Sequence, residues 1–298
     1  MLGELAALGT AIAWTVSAVL YRRALMNTRP LQANIVRLSF TSLLLAVFVV
    51  AIGRYTVFLT LPVYAVVLSC LSGLIGLGLG DTLYMFSLRE IGVSRAVPIS
   101  CTYPLFSLLF ALLIQPKTVS IWVTVGAVAI VFGIWLLANE EPDQSAEQKR
   151  FQKKGALFAL GSAIVWAISI AMINVAVTLP ETSTLDSALT LNTIRIVSVA
   201  VFLLASAPLI DRGFTFVRVQ RKSMILLIIG GLVALGLGWF LLAYSFLFIP
   251  EAQAVPISST TPLFAVVSGI IFLRERVTIR NVAGTLVIVL GIFVLFTL

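Results

Sequence analysis

The sequence predicts an all-α, polytopic membrane protein whose ten transmembrane helices form two inverted five-helix repeats. Three observations carry that expectation. Of 298 residues, 60% belong to the apolar AVILMFWYC set and only 11% are charged, where soluble domains carry about 25% charge. The apolar residues fall in ten continuous runs, most of them near the roughly 20 residues that cross about 30 Å of hydrocarbon at 1.5 Å per residue. The two halves of the chain also repeat one another at a constant offset of 158 positions.

The runs cover residues 3–22, 31–53, 62–88, 94–114 and 118–138, then 155–178, 186–209, 223–248, 252–273 and 277–297. Membrane barrels use alternating strands of about ten residues, so unbroken apolar runs of this length read as helices. The polar stretch 139–154 reads as a solvated linker between a first repeat, 1–138, and a second, 155–298.

Several polar and small residues keep register across the repeat, which shared greasiness does not produce. The segment Gly9 to Trp14 returns as Gly161 to Trp166, and Asn34 with Arg37 returns as Asn192 with Arg195. Leu77 to Gly80 matches Leu235 to Gly238, Ala96 to Ser100 matches Ala254 to Ser258, and Pro104 to Phe106 matches Pro262 to Phe264. Comparing residues 73–137 with residues 231–295, roughly 26 of the 65 positions are identical. Five crossings per half is an odd number, so the second half enters the membrane with opposite polarity. Inverted repeats are associated with carriers that rock one unit against the other around a midplane site, although channels and scramblases also suit them.

Charge orients the chain. With the amino terminus on side A, the loops of side B hold sixteen Lys and Arg residues, whereas side A holds Arg54 and Lys117. The positive-inside rule then places side B, with the linker, in the cytoplasm and both termini outside a cell membrane. The net charge of +8 therefore reads as membrane orientation, and nucleic acid is not an expected partner; a small-molecule substrate and the lipid bilayer are. The chain has no histidine, which removes the commonest neutral-pH proton carrier and metal ligand. Cys70 and Cys101 lie inside apolar runs, so neither reads as a disulfide or a metal pair.

Ionisable groups inside the membrane are costly, at about 2.5 to 3.5 kcal/mol for Asp or Arg at mid-helix, and so are informative. Arg37, Asp81 and Arg195 are the three. Arg37 and Asp81 come to one depth, roughly 10 Å from side B by helical rise, and are expected to pair if their helices are neighbours. Such a pair either gates and recognises cargo or fixes helix packing. Trp239 stands where the repeat would put a partner carboxylate for Arg195, leaving that guanidinium to a cavity or to an outer-leaflet phosphate. Asn34 and Asn192, each one turn from its arginine, either line a cavity or clamp helices by hydrogen bonds.

Pro98 with Pro104, and Pro256 with Pro262, bracket hydroxyl-rich segments containing Ser100, Tyr103, Ser258 and Thr261. Proline frees a backbone carbonyl, so broken helices lining a cavity are expected. Trp14, Tyr84 and Trp166, with Trp239 and Tyr244, sit inside runs and could wall a pocket for an apolar or aromatic cargo. Gly76 with Gly80, and Gly126 with Gly133 and their copies Gly284 and Gly291, serve close helix approach. Gly78 to Asp81 matches the GxGD pattern of intramembrane aspartyl proteases, but that chemistry needs a second carboxylate. The other acidic residues lie near helix ends or in loops, so no enzyme is expected.

Jointly, Trp14 and Trp166, Arg37 and Arg195, Gly80 to Tyr84, and the segments Pro98 to Phe106 and Pro256 to Phe264 resemble the drug/metabolite transporter superfamily, specifically its EamA-like ten-helix members. The likeness covers essentially the whole chain. It implies a secondary active transporter moving a small metabolite (an amino acid or similar polar or aromatic solute, or a drug) by alternating access, with a passive lipid scramblase or channel-like pore as the alternative. It implies no cofactor and leaves the coupling ion open. The four-helix relatives couple protons through a first-helix glutamate; here that helix has only Glu4 at its margin, so Asp81 would be the replacement.

Overall fold

The computed structural model describes residues 1–114, 121–138, 146–211 and 215–297. All of the regular structure in them is helical. The helices are α1 (Leu2–Leu25), α2 (Pro30–Ala51), α3 (Val63–Ile91), α4 (Val93–Ser100), α5 (Tyr103–Ile114) and α6 (Ile121–Ala138). The second half contributes α7 (Ala146–Thr178), α8 (Leu185–Ile210), α9 (Arg221–Ser245), α10 (Glu251–Ser258), α11 (Thr261–Leu273) and α12 (Ile279–Thr297). Among the described residues nine helical segments are long and apolar enough to cross a membrane, and α12 adds a shorter apolar helix. The fourth and ninth crossings are each two helices end to end, α4 with α5 and α10 with α11.

The breaks fall where the prolines predict. Pro98 lies inside α4 and Pro256 inside α10, and the chain turns at Cys101–Thr102 and Ser259–Thr260. Hydroxyls take up carbonyls beside each break: Thr102 donates to Ile99 at 2.6 Å and Thr261 to Ser258 at 2.6 Å. The first turn of α2 begins with Pro30, where a missing N–H costs nothing. Gly92, at φ 77°, ends α3 in a conformation open to glycine.

Two features depart from the sequence reading. The segment expected as a linker, 139–154, is already helical from Ala146, which opens α7; residues 139–145 lie outside the described residues. Glu, Gln, Lys and Arg are good helix formers, so the end of the apolar run marks where hydrocarbon stops, not where the helix does. In addition, α3 and α9 each contain a π-helical stretch, Gly73–Gly80 and Leu232–Gly238. Such wide turns are rare and gather at functional sites.

Packing follows the repeat. Helix α1 packs on α9 as α7 packs on α3, while α2 lies along α8 and α6 along α12. Exchanging the two halves leaves these pairings unchanged, as an inverted repeat requires. Glycines permit the closest approaches: a Cβ on Gly133 would stand 2.6 Å from Ile288 Cγ1 and 2.8 Å from the Gly284 carbonyl, and one on Gly291 would stand 2.9 Å from the Gly126 carbonyl.

The exchange fails most clearly where the broken crossings meet. On side B, α4 packs along α11, but among the described residues the equivalent pair on side A, α5 and α10, makes no comparable contact. Side B is also tied by charge. Glu275 accepts the backbone N–H groups of Val93 and Ser94, both at 2.8 Å, at the amino end of α4. Arg22 donates to the Leu88 carbonyl at 2.9 Å, and Arg23 to the Phe272 carbonyl at 2.8 Å.

Replacing Gly133 with Ala forces a methyl into the neighbouring backbone and should destabilise the fold by about 1 to 3 kcal/mol. Gly236→Ala, whose Cβ would meet only Leu45 at 3.6 Å, should be neutral or slightly stabilising. Thermal unfolding of the detergent-solubilised chain compares the two.

Candidate functional site

The centre of the bundle holds a narrow cavity, about 40 Å³, lined by α1, α3, α4, α5, α7, α9 and α11 together with Arg37 of α2. A water needs about 10 to 15 Å³ by this measure, so there is room for a few waters and none for a metabolite. In this conformation the walls are drawn together.

On the first-half side, Arg37 Nη2 forms an ion pair with Asp81 Oδ2, both side chains almost wholly buried. The pair is braced from every direction. Asn34 Oδ1 accepts from Arg37 Nε at 2.9 Å, the Tyr21 ring lies 5.0 Å from the guanidinium, and Trp166 Nε1 donates to Asp81 Oδ1 at 2.8 Å. Trp166 in turn packs on Tyr84, with ring centroids 5.0 Å apart. The indole reaches this close because Gly80 faces it; a Cβ there would lie 2.8 Å from Trp166 Cδ1.

The second-half side has the same frame with different chemistry. Trp14 sits against Gly238 as Trp166 does against Gly80, and its ring meets that of Trp239 at 5.1 Å. Where Asp81 would stand, Trp239 lies over Arg195, with the guanidinium carbon 4.0 Å from the ring centroid. Arg195 Nη2 donates to Ser169 Oγ at 2.8 Å, whereas its Nε and Nη1 have no hydrogen-bond partner. One buried arginine is therefore neutralised by a carboxylate and the other is held by a π face and a hydroxyl.

The structure sorts the residues that the sequence singles out. Trp14, Arg37, Asp81, Tyr84, Ser100, Tyr103, Trp166 and Thr261 line the cavity. Ser258 does not line it but meets Tyr103 Oη at 3.2 Å, and Arg195 lies behind the Trp239 ring. Asn34 and Asn192 clamp: Asn34 Nδ2 donates to the Leu77 carbonyl at 2.9 Å, and Asn192 Nδ2 to that of Leu235 at 2.9 Å. Each thereby satisfies a carbonyl in a π-helical stretch. Tyr244 packs with Phe240 and Phe248 away from the cavity.

Ser17, Tyr21, Ile170 and Trp239 also line the cavity, and of these Ser17, Tyr21 and Ile170 are absent from the sequence reading. Helical spacing carried the signal: Trp14, Ser17 and Tyr21 fall at i, i+3 and i+7, and Trp166 with Ile170 at i and i+4, each set on one stripe. Tyr21 is masked by its neighbours Arg22 and Arg23, which make it look interfacial.

Comparison with known proteins agrees with this architecture. The model of the EamA-like transporter family matches residues 1–139 and 153–297. An uncharacterized transporter of Archaeoglobus fulgidus is 28% identical over 302 residues, covering 99% of this chain and 98% of its own. A solved crystal structure superposes with a TM-score of 0.67, covering 98% of this chain and 95% of that one. At 14% identity that likeness concerns the fold.

Removing one member of a buried pair leaves an uncompensated charge, at a cost of about 3 to 5 kcal/mol, whereas removing both is often close to neutral. Arg37→Gln and Asp81→Asn should each lower the thermal midpoint sharply, and the double variant should recover most of the loss. Additive losses in this double-mutant cycle would mean that the two side chains do not depend on each other.

Proposed function

The chain belongs to the EamA-like transporter family and is an integral membrane transporter, not an enzyme; from that premise we propose a secondary active carrier that moves a small metabolite by alternating access. The observation that carries this reading is the broken exchange symmetry. An inverted repeat with identical halves would pack alike at both ends, but α4 and α11 are joined on side B while, among the described residues, α5 and α10 make no comparable contact on side A. Swapping which pair is joined produces the opposite state without new contacts being invented.

Side B is held by a latch as well as by packing. Glu275 crosses from the second half to cap α4 of the first with charge-assisted hydrogen bonds, beside the apolar contact of Val93, Ala96 and Val97 within the core that includes Ala265. By the count of basic loop residues, side B faces the cytoplasm and both termini lie outside, so the state described here is sealed toward the cytoplasm. The central cavity then serves as the cargo site, with Trp14, Trp166, Trp239, Tyr84 and Tyr103 as its apolar walls and Arg37 with Asp81 as its polar determinants. Asn34 and Asn192 hold the π-helical stretches of α3 and α9, the wide turns at which those helices flex when the walls separate.

A passive lipid scramblase or pore accounts for less. It needs a continuous polar path, whereas this cavity holds only a few waters and is closed on side B. The test is counterflow in proteoliposomes, using whichever compound stabilises the purified protein in a thermal screen of amino acids, nucleosides, sugars and cationic drugs. A carrier accumulates labelled compound transiently above equilibrium in exchange for unlabelled compound inside; a pore only equilibrates. The Arg37→Gln/Asp81→Asn double variant, expected to stay folded, should show no exchange. Wild-type exchange by that variant would remove the ion pair from the transport site.

A further inference from the structure

The buried charges of this site do not balance. Within the membrane-buried centre the described residues place two guanidiniums, Arg37 and Arg195, and one carboxylate, Asp81. Asp81 is fully engaged, with Oδ2 on Arg37 and Oδ1 on the Trp166 N–H. Arg195 is 0% exposed, yet two of its nitrogens have no acceptor. A buried charge in that condition costs several kcal/mol, of which a desolvated aromatic face offsets about 2 kcal/mol.

The position of Arg195 indicates what could complete it. Its guanidinium lies against one face of Trp239, and Trp239 is part of the cavity wall, with Ala234, Leu235 and Ile170 beside it. Trp239 thus touches both the Arg195 guanidinium and the cavity, and a shift of this one ring is what would open Arg195 to cargo. Arg37 lines the cavity directly, whereas Arg195, from the opposite repeat, reaches it only through Trp239.

Resting on the carrier reading above, we infer that the cargo is an organic monoanion: a carboxylate-sized negative group received by Arg195, on an apolar, ring-sized body held among Trp14, Trp166 and Trp239. One negative charge brings the site to neutrality. A planar carboxylate matches the arginine fork; Nε and Nη1 lie on opposite edges of the guanidinium, so the carboxylate takes one of these open nitrogens together with the second N–H of Nη2. The same net positive site repels cations, so cationic drugs are excluded as cargo.

The test holds shape constant and varies charge. Isothermal titration calorimetry on the full chain in detergent compares indole-3-acetate, indole-3-ethanol and tryptamine. The anion should bind about tenfold or more tightly than either of the others, the scale of one charge-assisted hydrogen bond. Arg195→Gln should bring the acid and the alcohol to similar affinity, and Arg195→Lys should keep part of the preference. The inference is overturned if the alcohol or the amine binds as tightly as the acid, if the acid does not bind, or if Arg195→Gln binds it as the wild type does. The wild-type comparison needs no variant and stands even if Arg195→Gln does not fold. Counterflow separates the two readings: exchange of the amine or alcohol but not the acid leaves the carrier standing and sinks the anion, whereas tight binding of the acid without exchange does the reverse.

Discussion

A guanidinium and a carboxylate meet in the interior of an apolar bundle, and much of the remaining structure exists to make that tolerable. Each charge is almost wholly buried, so its lone pairs and protons need partners close at hand. The partners come from far apart in the chain: Asn34 from the same helix as Arg37, Tyr21 from α1 and Trp166 from the opposite repeat. The ion pair therefore ties the two halves of the molecule together through the indole N–H of Trp166. Any movement of one repeat against the other has to bend, break or carry this network.

Duplication supplied the scaffold, and divergence supplied the polarity. Glycine against tryptophan occurs twice, at Gly80 with Trp166 and at Gly238 with Trp14; asparagine against a π-helical carbonyl occurs twice, at Asn34 and Asn192. The two sides differ at one decisive position, where Asp81 in one repeat answers to Trp239 in the other. A carboxylate neutralises its arginine, whereas an indole face only softens the charge of its own. A symmetric frame thus encloses an asymmetric field.

The same contrast governs the ends of the bundle. Prolines break the fourth and ninth crossings alike, but on side B the halves of those crossings are drawn together and pinned by Glu275, whose position in the first repeat is held by Lys117. Gly92 and Gly269 make room for that carboxylate; a Cβ on Gly92 would lie 2.6 Å from Glu275 Oε1. Hydrogen bonds to a carboxylate are charge-assisted and strong, and here they join the two repeats at side B.

Hydropathy alone determined the number and rough bounds of the crossings, because excluding charge from hydrocarbon is a property of single residues that needs no neighbours. The offset of 158 determined the repeat, and an odd number of crossings determined its inversion. The Arg37–Asp81 pair was legible as a matter of depth, since rise per residue converts position into distance. Tertiary structure alone decided the rest. That Trp166 donates to Asp81, that Arg195 stacks on Trp239, that the asparagines clamp instead of lining the cavity, and that side B is the joined end all depend on which helix faces which. Periodicity leaves that open in a membrane, where lipid and protein interiors are equally apolar and a hydrophobic face does not announce its partner.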